Sequence, residues 1–223
     1  MTVKLFFQAI GKFIAGVILI GLLLFLPAGS FGYRNAWLFI GILFIPMFIA
    51  GIVMMFRDPE LLKKRLNAKE EQKEQKAVVA LSGLMFSTAF IVAGLNYRFS
   101  WIVTPDWLVY VGAGVFLLAY VMYAEVLREN AYLSRTIEVQ EDQKVIDTGL
   151  YGVMRHPMYS ATLFLFLSMG VVLGSPISVA ITLLYIPIIA VRMKNEEKVL
   201  EEGLEGYAAY KKRVKYKVIP FIW

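Results

Sequence analysis

The chain has 223 residues, of which 59% are hydrophobic and 18% charged, with a mean hydropathy of +0.64; that balance excludes a soluble globule and predicts a domain-sized integral membrane protein. No cysteine is present and there is one histidine, which excludes disulfides, thiolate nucleophiles, cysteine-ligated metals and a multi-histidine metal site. The formal net charge of +6 sits at the ends of apolar segments, where Lys and Arg act as topological anchors, and so argues against a nucleic-acid partner.

Taken in order, Leu5 to Leu26 is an apolar run of about 22 residues, interrupted only by Gln8 and Lys12 and long enough to cross a hydrocarbon core of ~30 Å. We expect it to be retained as the first span rather than removed as a signal peptide. Ala36 to Phe56 is the second, with Trp37 at an interface and Pro46 as a kink. The alternating charges from Arg57 to Lys76 predict a solvated helical connection. Ala77 to Leu95 and Trp107 to Val126 complete four spans over residues 1–126, and Glu125, Arg128, Glu129 and Asn130 close the last of them. Ionisable groups at that depth suggest a site; Glu129 reads as a side chain that merely snorkels to the surface.

Residues 127–223 read as a second subdomain. Leu133 to Thr148 is a polar arm, followed by the glycine-flanked turn Gly149-Leu150-Tyr151-Gly152 and then by Arg155-His156-Pro157. Pro157 suits the first turn of a helix. Pro157 to Leu173 and Ile177 to Val191 are short apolar arms broken by Gly174-Ser175-Pro176, which predicts a tight helical hairpin. An amphipathic helix follows, with Val199, Leu200 and Leu204 as its stripe, loosened at Gly203 and Gly206. The expected fold is therefore all-α: five or six transmembrane helices, including the C-terminal hairpin, and an amphipathic C-terminal helix. All 23 Lys and Arg residues except Arg34 and Arg98 fall on one side, so both termini and every candidate site residue are expected to be cytosolic.

The hairpin would bring two polar clusters together, Arg155 and His156 with Arg192, Glu196 and Glu197. Arg192 and Glu196 share a helix face, while Glu197 is turned by about 100°. Carboxylates, arginines, a histidine and several tyrosines around one pocket suit a small zwitterion. S-adenosylmethionine is such a ligand, with an ammonium and hydroxyls for Glu, a carboxylate for Arg or His, and a sulfonium for aromatic faces. The same set of groups suits many other polar molecules.

Thr148-Gly149-Leu150-Tyr151, Arg155-His156-Pro157-Met158-Tyr159, Arg192-x-x-x-Glu196-Glu197, Tyr207-x-x-Tyr210-Lys211-Lys212-Arg213-Val214 and Ile219-Pro220-Phe221 together resemble the C-terminal catalytic region of the isoprenylcysteine carboxyl methyltransferases and related phospholipid methyltransferase-like membrane enzymes. The resemblance covers about residues 126 to 223, and the first 120 match only as generic spans. It implies a site on the cytosolic side enclosing S-adenosylmethionine, and a lipid or lipidated acceptor that arrives laterally from the bilayer. Carried over by residue, it implies that Tyr151, Arg155, His156, Pro157, Tyr159 and Arg192 stand at the cofactor and that Glu196 and Glu197 hold it. Tyr207 and Tyr210 would close the pocket, and Arg128 and Asn130 would face the acceptor. The sequence departs from the family at Leu150, where proline is common, at Ala161, where glycine is common, and in a Glu197 to Tyr207 spacing one residue short.

In-line displacement at a methyl carbon asks the protein mainly to orient two reactants and exclude water. A carboxylate acceptor needs only an orienting cation, for which Arg128 is the candidate. An amine acceptor would need a base such as Glu125 or His156. The competing readings are a phospholipid N-methyltransferase, an NADPH-dependent reductase of the sterol type, and a lipid-binding protein without turnover.

Overall fold

The computed structural model describes residues 3–66, 73–133, 137 and 139–223. Helix α1 (Val3–Ala28), α2 (Arg34–Arg57), α4 (Lys73–Phe99) and α5 (Asp106–Glu129) form the N-terminal bundle, with the short α3 (Pro59–Leu66) following α2. Then come a single 3-10 turn (Gly149–Gly152), α6 (Pro157–Val172), α7 (Pro176–Thr182), α8 (Tyr185–Gly203) and α9 (Tyr207–Arg213). Among the described residues, five helical stretches are long and apolar enough to cross a membrane: Leu5–Ala28, Arg34–Arg57, Lys76–Phe99, Asp106–Glu129 and Pro176–Gly203. The shorter apolar α6 joins them; its 16 residues rise about 24 Å. The all-helical, polytopic expectation holds.

Two details differ from the sequence reading. The second arm of the hairpin is not one helix, because the chain turns at Leu183 and Leu184 between α7 and α8. Pro187 explains the break: it lacks the N–H that would bond Leu183, and its ring crowds that carbonyl. Conversely, the apolar arm and the polar amphipathic segment are not separate, since α8 runs unbroken from Tyr185 to Gly203. Of the charged connection, residues 67–72 lie outside the described residues, as do 134–136 and 138 of the polar arm.

The bundle interior is built from large apolar side chains set against alanines, Leu24, Phe39, Phe116 and Leu173 packing with Ala36, Ala89 and Ala93. Small residues let helices approach closely where lipid supplies no hydrophobic drive for association. At the far end, away from the polar clusters, the hairpin tip is tied down by side chains from three other segments. Asn96 donates to the Gly174 carbonyl at 3.2 Å, Thr104 to the same oxygen at 3.0 Å, and Tyr33 to the Leu173 carbonyl at 2.5 Å. These bonds satisfy carbonyls that a helix end would leave bare in the membrane. Gly174 has φ +67, a conformation that glycine adopts without penalty. Fixing the tip aims both hairpin arms, α6 outbound and α8 returning, at the same end of the bundle.

Candidate functional site

The site is assembled where α5 ends, α6 begins and α8 leaves the bundle. Glu129 does more than snorkel. Its carboxylate accepts the Leu150 N–H at 3.0 and 3.3 Å and so holds the 3-10 turn. Gly149 has φ +51, and a Cβ there would fall 1.4 Å from Glu129 Oε1, so any side chain at 149 would be strained and would displace the carboxylate from the turn. Asn130 donates to the Tyr151 hydroxyl at 3.0 Å, and Tyr210 donates to the Tyr151 carbonyl at 2.8 Å. The turn is thus pinned from both sides.

Behind it, the C-terminal segment lies alongside the Arg155-His156 stretch like a strand. Met154 and Tyr216 form a parallel bridge. Arg155 N donates to Tyr216 O at 2.9 Å and His156 N to Lys217 O at 2.8 Å, while Ser160 Oγ donates to Val218 O. Arg155 is buried, and its guanidinium is held from this rear side: Nε donates to Glu197 Oε1 at 2.8 Å, and one terminal nitrogen to the carbonyls of Val214 at 2.6 Å and Lys215 at 2.9 Å. Glu197 is also buried. It meets His156 Nε2 at 3.2 Å, and Lys211 and Lys217 approach its second oxygen at 3.4 and 3.7 Å. A carboxylate removed from water is tolerable only when paired in this way. Lys211 also bonds Glu201 at 2.7 Å, and this contact, with Glu197 behind it, holds the ammonium above the usual lysine range despite partial burial.

A different set of groups faces inward on a cavity of about 100 Å³. Its wall carries the chain Arg192 Nε to Tyr159 hydroxyl at 2.9 Å, and Tyr159 hydroxyl to Glu196 Oε2 at 2.7 Å. Asn130, Tyr151, Arg155, His156, Tyr207 and Tyr210 also border it, with Met158 and Leu133 as apolar lining. The Tyr207 hydroxyl is buried and, among the described residues, is the side-chain polar atom left without a hydrogen-bond partner. Burial, then the charges of Glu197 and Glu196, hold its pKa far above that of an ordinary tyrosine, so it remains a donor. The segment around Gln143 to Ile146 completes the wall, and Val139 and Val145 pack there on Leu204, Tyr207 and Tyr210.

Of the residues expected at the site, Tyr151, Arg155, His156, Tyr159, Arg192, Glu196, Tyr207, Tyr210 and Asn130 converge on the cavity. Pro157 is buried at the first position of α6, and Glu197 stands behind the wall rather than on it. Arg128 lies outside: its side chain is 73% exposed and is held by Glu125 at 2.5 and 2.8 Å. Glu129, read from sequence as a surface group, is the member that local pattern missed. A carboxylate followed twenty residues later by a glycine turn carries no periodic signal, although the pairing of Glu129 with an obligatory Gly149 is visible once the helix end and the turn meet.

A family model described as phospholipid methyltransferase matches residues 107–205, from the start of α5 to the elbow before α9; Tyr207 and Tyr210 lie just beyond the match. The chain is also 28% identical over 158 residues, 65% of its length and 80% of the relative's, to protein-S-isoprenylcysteine O-methyltransferase B of Arabidopsis thaliana. The family-model match takes in the cavity-forming helices α6 and α8 and nearly all of α5. The motif resemblance, the membrane-spanning architecture and these two similarities agree on one class: the chain is an integral membrane methyltransferase that is similar to the isoprenylcysteine and phospholipid methyltransferases.

Proposed function

We propose that the protein is an S-adenosylmethionine-dependent methyltransferase that acts on a membrane-embedded lipid or lipidated acceptor, with a carboxylate as the group methylated. The observation that carries this reading is the Arg192–Tyr159–Glu196 chain facing a buried, unpartnered Tyr207 hydroxyl at the open end of the hairpin, opposite its tip. The donor set suits the cofactor: a carboxylate for ribose hydroxyls or an ammonium, an arginine for a carboxylate, tyrosine and histidine rings for a sulfonium. The cavity as it stands is smaller than the ~300–1,000 Å³ usual for small-molecule sites, so admission of a nucleoside-sized ligand requires Val139 and Val145 to part from the α8–α9 elbow.

Bound there, S-adenosylmethionine supplies an electrophilic methyl group. The chain's own part is to orient and to exclude water. Glu196 and Tyr207 hold polar groups, and Glu197 fixes the positions of Arg155 and His156 from behind. The buried apolar cluster of Leu163, Tyr185, Ile189 and Met193 packs against Tyr159 and holds its ring in place at the wall. Asn130 borders the cavity at the end of α5, and Arg128, exposed one helical position away from Glu129, is the cation that an anionic headgroup would meet on arrival. A carboxylate is already anionic and needs no base, whereas an amine would have to lose a proton first. The lysine and arginine distribution supports placing both termini and the site on the cytosolic side.

Titration calorimetry in detergent with S-adenosylmethionine and, separately, NADPH tests the cofactor. Heat from S-adenosylmethionine alone supports the proposal; heat from NADPH alone, or from neither, overturns it. Mass spectrometry of membrane lipids incubated with the protein and an isotope-labelled methyl donor then separates a methyl ester from an N-methylated headgroup, and the latter would favour a phospholipid N-methyltransferase.

A further inference from the structure

Beyond α9, residues 214–223 form a folded tip. The backbone oxygen of Trp223 accepts the N–H groups of Lys217, Val218 and Ile219 at 2.9, 3.0 and 3.1 Å, while Trp223 N donates back to Ile219 O at 2.9 Å. This closes a tight loop in which Phe221 takes φ +65, an uncommon and costly conformation for a bulky residue. That backbone leaves Phe221 87% and Ile222 80% exposed, both directed outward from a hydrogen-bonded turn. Their neighbours on the inner side are apolar. Val218, Ile219 and Trp223 pack on the cluster of Met85, Leu163 and Ile189, which belongs to α4, α6 and α8. The tip therefore sits against the membrane-spanning helices rather than out in the aqueous phase. Lys212 and Lys215 are exposed on the same short segment, as is Arg213, which is paired with Asp147.

An apolar knob flanked by cations and seated on helices of the bundle has the chemistry of an interfacial anchor: apolar area enters the headgroup boundary while basic side chains pair with anionic lipid. We infer that the Phe221-Ile222 tip and its Lys212 and Lys215 flank form a docking surface for an anionic bilayer. It is separate from the cavity, yet the strand that carries it supplies the carbonyls of Tyr216 and Lys217 that hold Arg155 and His156. The back wall of the cavity is thereby tethered to the membrane surface at a second place, besides α8.

The chain has no cysteine, so an Ile222→Cys variant takes a single environment-sensitive fluorophore without further substitution. The labelled full-length protein is placed in nanodiscs of phosphatidylcholine alone or of phosphatidylcholine with phosphatidylglycerol, each with bromine-labelled acyl chains as quencher. Quenching that increases with phosphatidylglycerol, and an anionic-lipid dependence weakened roughly fivefold per lysine removed in Lys212→Gln and Lys215→Gln, is expected. A label that stays water-exposed in both discs overturns the proposal, and so does quenching that is equal in both and unchanged in the lysine variants. The readout involves neither cofactor nor methyl transfer, so it can fail or succeed independently of the proposed activity.

Discussion

Glu196 and Glu197 are adjacent on α8, but the structure sends them to different tasks. Glu196 is half-buried and reaches the cavity through Tyr159 at 2.7 Å. Glu197 is buried in the rear buttress among Arg155, His156, Lys211 and Lys217. One residue along a helix is a rotation of about 100°, enough to put one carboxylate on the wall and its neighbour in the masonry behind it. The contrast teaches that an acidic pair in sequence is not an acidic pair in function: one member is placed to meet a ligand, the other to hold the residues that do.

The buttress is where the largest effects are expected. Glu197→Ala strands the Arg155 guanidinium in a buried setting, which costs about 3–5 kcal/mol, so thermal unfolding in detergent should show a large fall in melting temperature or loss of folded protein. A melting temperature within error of the parent would remove Glu197 from its supporting role. Gly149→Ala is expected next. The added Cβ collides with Glu129 and the residue is held at positive φ, a strain of about 1–3 kcal/mol before any displacement of the carboxylate. Adding Glu129→Ala to that variant should recover part of the loss, because the collision is gone, and a fully additive double variant would contradict the collision.

On the wall, stability and binding should separate. Tyr207→Phe removes a buried hydroxyl that has no partner in the folded protein, so melting should stay level or rise. Affinity for S-adenosylmethionine should fall by about 0.5–1.5 kcal/mol, read by calorimetry; unchanged affinity would mean the hydroxyl does not meet the ligand. Smallest of all is Arg128→Ala. Its pairing with Glu125 is at the surface, where removal of such a pair rarely changes stability measurably. Cofactor affinity should be unchanged and only turnover lowered; a parallel loss of both would place Arg128 at the cofactor instead.

Most of the fold was legible from hydropathy, because a bilayer demands long apolar helices and imposes few alternatives. The Gly174-Ser175-Pro176 break announced the hairpin for the same reason. The turn between α7 and α8 was overlooked although Pro187 marks it, since the apolar run continues across the break and hydropathy alone does not register a missing N–H. The site was legible as a set of residue types at matching spacing, and the structure brings most of them to one cavity. What could not be read was direction. Arg155 and Arg192 are both arginines beside the cavity, yet only the fold shows that the first is committed to Glu197 and two backbone carbonyls while the second donates to Tyr159. Likewise, nothing local to Glu129 indicates that its partner is the N–H of Leu150.

The account rests on Glu196 as the carboxylate that faces the ligand, and paired measurement of binding heat and melting temperature on Glu196→Gln tests it most directly. Loss of a charge-assisted bond of about 1.5–3 kcal/mol should weaken S-adenosylmethionine by at least tenfold and leave the melting temperature at the parental value. Parental affinity in the folded variant would contradict the assignment of that wall as the cofactor site.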